Sequence, residues 1–220
     1  MDYKTINWEI EDRIAYLTLV SAPKNKMDSM FFDEFSTIIS NIERNQDLRG
    51  IIIQSKGRHF SSGANVEELF SVLIPSSNAI PPSIAKNSEA FQILNKLELP
   101  VVACIKGICY GSGLELALAA NFRVASTNSL LCLPETGFGI MPGLGGIYNS
   151  RKCMGTARAL EFVLSGNTLS SEEALEYGLI DLIKGKDELA DIAKKLVHLS
   201  SDNYRKELKP IYLKEFTQLT

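Results

Sequence analysis

One acid inside a nearly unbroken apolar run constrains this chain more than any other feature. The stretch CYGSGLELALAANFRVAS, residues 109–126, carries Glu115 one turn after a Gly-Ser-Gly corner. An ionised carboxylate is costly to bury unless something pairs with it or uses it. The residues leave two readings: a first-turn acid that favours the helix dipole at an exposed position, or a carboxylate used inside a site. LELALAANF has no polar stripe on which an exposed acid would sit, and this favours the second.

The length of 220 residues suits one large domain, or one domain with a small appendage. A formal net charge of −3 argues against nucleic acid or an anionic membrane as partner. The cysteines Cys104, Cys109, Cys132 and Cys153 form no C-x-x-C pair, and the histidines are only His59 and His198. We therefore expect small core hydrophobes in a reducing cytoplasm, and neither disulfides nor a metal site. No apolar run approaches the ~18 residues of a membrane span, and the N-terminus lacks the pattern of a signal peptide. A soluble cytoplasmic protein is expected.

KTINWEI and RIAYLTLV read as a strand pair around a polar turn. Phe31, Phe35, Ile38 and Ile42 then recur at helical spacing, with Asp28 or Ser29 available as N-cap. RGIIIQS and VVACI read as short buried strands, and Ala90, Ile93, Leu94 and Leu97 mark one face of a helix between them. IPSSNAIPPS, residues 74–83, is the most loop-like stretch. The helix bearing Glu115 is predicted to begin near Leu114, and FRVAS and SLLCL follow as strands. TARALEFVL is a further helix, Ser170 and Glu173 can form a capping box, and Gly178 can end the helix they start. Two terminal helices are predicted over 187–199 and roughly 203–219. Alternating strands and helices predict an α/β fold.

Three glycine-bearing corners punctuate this pattern: GRHFSSGANVEEL (57–69), KGICYGSGLELAL (106–118) and PETGFGIMPGLGG (134–146). A corner that opens a helix presents free N–H groups at the positive end of its dipole. Two such corners facing one another could hold an oxyanion between two amides. Glu115 stands beside the second corner and Glu135 begins the third, and two carboxyls in different surroundings can divide acid and base roles. Taken alone, Glu135 is as readily an ordinary turn acid, and the glycines are structural punctuation. Other motifs fail: G-x-S-x-G would need Gly at Tyr110, G-x-G-x-x-G would need Gly at Leu116, and no Walker A motif occurs. His59 near Ser61 and Ser62 is weak evidence for a nucleophile–base pair.

Together the corners resemble the enoyl-CoA hydratase/isomerase (crotonase) family. RGIIIQSKGRHFSSGANVEEL resembles its first oxyanion-loop segment, and LPVVACIKGICYGSGLELALAANFRVAS the segment with the second oxyanion donor and first acid. LPETGFGIMPGLGGIYNSRKCMGTARALEFVLSGNTLSSEEALEYGLID resembles the segment with the second acid. The resemblance implies a ClpP/crotonase-like ββα-spiral core over 1–185 and a helical, shortened C-terminal trimerisation region over 186–220. It implies an acyl-CoA substrate, with no separate cofactor, and a homotrimer or dimer of trimers. It assigns the oxyanion amides to Ala64 and Ser112 and the two hydratase acids to Glu115 and Glu135. It places Ser62, Gly63, Asn65, Gly111, Gly113, Pro142 and Gly143 around the substrate, and the 74–83 loop with its helix along the acyl pocket.

The implied reaction is hydration of a 2-enoyl-CoA to the 3-hydroxyacyl-CoA, or its reverse, within fatty acid metabolism. Isomerases of the family commonly retain one acid at these positions, so retention of both tilts toward hydration. A double-bond isomerase using Glu135 and a non-catalytic accessory homologue are the alternatives. Three departures bear on them. Asn65 and Glu67 stand where many hydratases read Asp and Lys, and a Glu at the nucleotide end would repel CoA phosphates. GGIYNSR replaces the usual GGTQRL, and the sequence ends at Thr220, several tens of residues before typical members.

Overall fold

A computed structural model describes residues 3–73, 80–201 and 204–219. Two strands, β1 (Ile6–Glu11) and β2 (Ile14–Leu19), pair antiparallel around Asp12 and Arg13, both at positive φ. Helix α1 (Ser29–Arg44) follows, and Asp28 is its N-cap: the carboxylate accepts the Phe31 N–H at 2.9 Å. Next come β3 (Gly50–Ser55), α2 (Val66–Leu73), α3 (Pro82–Lys96) and β4 (Val101–Ile105). β5 (Ile108–Tyr110) leads directly into α4 (Ser112–Ala119), then β6 (Phe122–Ser126) and β7 (Leu130–Cys132). The chain continues through α5 (Gly146–Met154), α6 (Thr156–Ser165), β8 (Leu169–Ser170), α7 (Ser171–Glu176) and β9 (Leu182–Lys184), and closes with α8 (Leu189–Ser201) and α9 (Lys209–Leu219).

The larger sheet has the order β1-β2-β3-β4-β6-β9 and is parallel beyond its first pair. Its central strands read as continuous apolar runs because both faces are covered. In β3, Ile51 and Ile53 join the cluster that includes Phe35 and Phe91, whereas Ile52 points to the opposite face and joins Ile192 and Leu196 of α8. Thus α8, with Tyr212 and Phe216 of α9, completes the second face of this sheet. The helical region expected over 186–220 is therefore present, and it shares its core with the strands.

A second sheet, β5-β7-β8, carries the chain into α4. Every residue of α4 is buried, so no face of the helix is left for a solvated acid. It starts at Ser112, two residues before the predicted start, because Gly111 at φ 54° turns the chain straight from strand into helix. Ser170 and Glu173 form the predicted capping box, at 3.2 and 2.8 Å. The loop reading of 74–83 falls largely on residues 74–79, outside the described residues.

Candidate active site

The first two glycine corners are stitched together by backbone hydrogen bonds. The Ser61 N–H donates to the Ile108 carbonyl at 3.1 Å, and the Tyr110 N–H donates to the Ser61 carbonyl at 3.0 Å. This places residues 61–64 alongside the strand that runs into α4. Glycine is required where the corners touch: a Cβ on Gly63 (φ +90°) would lie 2.8 Å from the Tyr110 carbonyl oxygen. A Cβ on Gly113 would lie 2.6 Å from the Ser61 Cβ.

The two candidate oxyanion amides face the space beyond this contact. Ala64 is bridged to Met27 through its neighbours: the Met27 N–H donates to the Gly63 carbonyl, and the Asn65 N–H donates to the Met27 carbonyl. In a parallel bridge of this kind the N–H of the central residue points the other way. Ser112 is the first residue of α4, whose first intrahelical bond runs from the Glu115 N–H to the Gly111 carbonyl. Its N–H thus belongs to the unsatisfied first turn at the positive end of the dipole. Its hydroxyl oxygen is also buried with no hydrogen-bond partner among the described residues.

Glu115 is 2% exposed. Its Oε1 accepts the N–H groups of Leu144 at 2.7 Å and Gly146 at 2.9 Å, so the third glycine corner holds this carboxyl. Gly146 lies so close that a Cβ there would meet Glu115 Oε1 at 3.0 Å. Burial, then the nearby Glu135, push the Glu115 carboxyl up to about 7 against the pull of the two amides. Glu135 opens a 3-10 turn, residues Glu135–Phe138, and burial raises its carboxyl too. Its Oε2 is buried with no hydrogen-bond partner among the described residues, while its Oε1 lies beside Gly111, 3.3 Å from where a Cβ would stand.

The raised carboxyl makes stability depend on pH. Between the ordinary 4.5 and about 7 the folded chain keeps a proton on Glu115 that the unfolded chain has released. Stability therefore falls as pH rises through this window, and the whole cost is present above it. At about 1.4 kcal/mol per pH unit the loss is on the order of 3 kcal/mol. Urea unfolding of the wild type and Glu115→Gln, at about pH 5 and about pH 8, isolates it. The wild type is expected to lose stability relative to the variant at the higher pH, and an equal response in both would contradict the assignment.

Ala64, Ser112, Glu115 and Glu135 all line one cavity of about 710 Å³. Of the residues expected around the substrate, Ser62, Gly63, Asn65, Gly111 and Gly143 line it as well. Gly113 and Pro142 do not: Gly113 is buried against Ser61, and Pro142 is buried beside Gly146. Both support the wall from behind. Sequence reasoning missed most of the apolar wall, including Phe32, Leu69, Phe70, Phe138, Ile140 and Met141. The available signal was apolar Phe138, Ile140 and Met141 standing inside the third glycine corner, where a solvated turn would carry polar residues. α3 contributes Ile84 and Asn87, as expected of the helix after the 74–83 loop. Glu67, the residue of concern, does not line the cavity; of the two α2 acids it is Glu68 that does, together with Asp28 and Asp33 from around the start of α1. Glu68 accepts the Ser29 N–H at 2.9 Å and the Asn65 side-chain amide at 2.8 Å. No group of three or more His, Cys, Asp or Glu able to hold a metal occurs among the described residues, and no described helix is long and apolar enough to cross a membrane.

Two amides and two carboxyls whose proton affinity burial raises, on an apolar cavity, suit a substrate whose carbonyl oxygen gains charge while a proton moves nearby. The fold that presents them is the crotonase fold. The crystal structure of an enoyl-CoA hydratase from Bacillus halodurans superposes with a TM-score of 0.81 at 26% identity, covering 98% of this chain and 86% of that one. A probable enoyl-CoA hydratase of Bacillus subtilis (strain 168) is 35% identical over 192 residues, 86% of this chain and 72% of that protein. The fatty acid oxidation complex subunit alpha of Psychrobacter cryohalolentis is 33% identical over 190 residues, 86% of this chain and 26% of that larger protein. The family model for enoyl-CoA hydratase/isomerase matches residues 9–217, and the chain belongs to that family.

Proposed function

We propose that the chain hydrates a 2-enoyl-CoA thioester to the 3-hydroxyacyl-CoA, or runs the reverse dehydration. The observation that carries this reading is the meeting of Ala64, Ser112, Glu115 and Glu135 on one apolar-walled cavity. The thioester oxygen sits between the Ala64 and Ser112 amides, which hold the enolate charge as it develops. Burial raises both carboxyls, and the nearby Glu135 raises Glu115 further, to about 7, so that Glu115 can hold or release a proton near neutrality. One activates water for attack at Cβ and the other delivers a proton to Cα. The acyl chain lies along the Phe70, Ile84 and Phe138 side, and a role in fatty acid oxidation is supported by the likeness to the fatty acid oxidation complex subunit alpha.

A double-bond isomerase is the second reading. It is favoured by one observation: the unpartnered oxygen belongs to Glu135, whereas Glu115 is engaged by two amides. Hydration of a short enoyl-CoA, assayed beside Glu115→Gln and Glu135→Gln, separates the readings. Loss in both variants supports hydration, isomerisation surviving Glu115→Gln supports the second reading, and inactivity of the wild type sinks both. Assembly as a trimer belongs to the same proposal. Leu160 and Leu164, one turn apart on α6, are 58% and 56% exposed, an apolar pair that a partner would cover. Sedimentation velocity is expected to give a trimer or a hexamer, and a monomer at micromolar concentration would refute it.

A further inference from the structure

A second cavity, of about 540 Å³, opens where the end of α4 meets α5 and the start of α9. It shares no lining residue with the first. We propose that it binds a small anion bearing a diphosphate group. Four cationic side chains line it, Arg123, Lys152, Lys206 and Lys209, against a single carboxylate, Asp181. In a chain of net charge −3, so concentrated a positive excess is a property of the place, not of the composition.

Asp181 is already engaged by two of these cations. Its Oδ1 lies 2.7 Å from Lys209 Nζ, and its Oδ2 accepts the Arg123 backbone N–H at 2.8 Å and lies 3.5 Å from the guanidinium. The Arg123 side chain is 3% exposed, with Nε donating to the Leu179 carbonyl and Nη1 to the Ala120 carbonyl, so a fixed cation forms the floor. Lys206 donates to the Asn95 carbonyl. An ammonium has three donors, so Lys206 and Lys209 each carry donors beyond these bonds. Lys152 stands over the Tyr148 ring at 4.6 Å and adds a further charge at the cavity wall. Burial lowers the affinity of Lys206 and Lys209 for their protons, and neighbouring cations lower it further, Lys152 for the first and Arg123 for the second. A bound polyanion offsets both effects, and lysines at the rim with an arginine beneath match the donors that phosphate oxygens accept. Four cations against one carboxylate leave an excess of positive charge that a diphosphate matches more fully than a single phosphate does.

Cys153 lines the same cavity and reports on it. Of the four cysteines it is the one that is not buried. Alkylation of Cys153 by iodoacetamide, followed by mass spectrometry at constant ionic strength, reads occupancy locally. Inorganic pyrophosphate is expected to slow this labelling saturably, by about fivefold or more. Lys152→Gln and Lys206→Gln, with folding checked by circular dichroism, are expected to need about tenfold more pyrophosphate for the same protection. Protection by ADP at lower concentration than pyrophosphate would assign the diphosphate to a nucleotide, and the reverse would assign it to the free anion. No protection by either, equal protection in the variants, or the same slowing by sodium chloride overturns the proposal. Because Cys153 reads this cavity alone, the result is independent of whether the first cavity hydrates an enoyl thioester.

Discussion

Replacing either Glu115 or Glu135 with glutamine is expected to slow hydration of a short enoyl-CoA by about 10²–10⁴-fold, with the fold intact and KM little changed. In Glu115→Gln the new side-chain amide oxygen can still accept the Leu144 and Gly146 N–H groups that hold Oε1 of the native residue. What it lacks is the ability to exchange a proton. Binding of the thioester oxygen depends on the Ala64 and Ser112 amides, which neither substitution touches, so the loss belongs in kcat. The double variant is expected to be little worse than either single one, because groups that act as a unit in one reaction are not additive. A second signature guards against a trivial explanation. Glu115→Gln removes a carboxyl whose ionisation is opposed by burial and by Glu135, so near neutral pH the inactive variant is expected to be the more stable protein. An inactive variant that is also destabilised would argue that Glu115 holds the wall together rather than moving a proton.

Local sequence signals carried much of this arrangement, and they stopped where tertiary contact took over. Glu115 was legible because an acid without a polar stripe is an anomaly that one segment displays by itself. Asp28 and the Ser170–Glu173 box were legible because caps are satisfied within a turn. Helix α5 was not predicted: it opens on Gly146, the last residue of the third glycine corner, and runs through Ile, Tyr, Asn and Ser, all weaker helix formers than Ala. Its start is fixed from outside, by the Glu115 carboxylate accepting the Gly146 N–H. Strands β5, β8 and β9 are two or three residues long, too short for any periodicity, and exist through their partners. The same limit explains Gly113 and Pro142. The motif places them beside the substrate, but which side of a corner faces the cavity is decided by what packs behind it.

Gly113→Ala tests that distinction, and is expected to cost activity far more than its size suggests. Position 113 is helical at an ordinary φ, so alanine would by propensity alone stabilise α4 by about 0.5–1 kcal/mol. The new Cβ would instead meet the Ser61 Cβ at 2.6 Å, its Oγ at 2.9 Å and its carbonyl oxygen at 3.1 Å. Ser61 cannot swing aside. It is 0% exposed, its hydroxyl donates to the Asn25 carbonyl at 2.7 Å and accepts the Gly63 N–H at 3.1 Å, and its backbone is paired with β5. Overpacking of this kind costs about 1–3 kcal/mol, so a net destabilisation of about 1–2 kcal/mol is expected by urea unfolding. The larger effect is geometric: relief of the clash pushes residues 61–64 away from α4, and with them the Ala64 amide away from the Ser112 amide. A displacement near 1 Å at such a site costs on the order of 10²-fold in rate. Measured well below the unfolding transition, kcat is expected to fall by that order, and shortening the opposing side chain with Ser61→Gly in the same chain is expected to restore part of it. Full activity in Gly113→Ala would mean that the spacing of the two corners is not what holds the oxyanion.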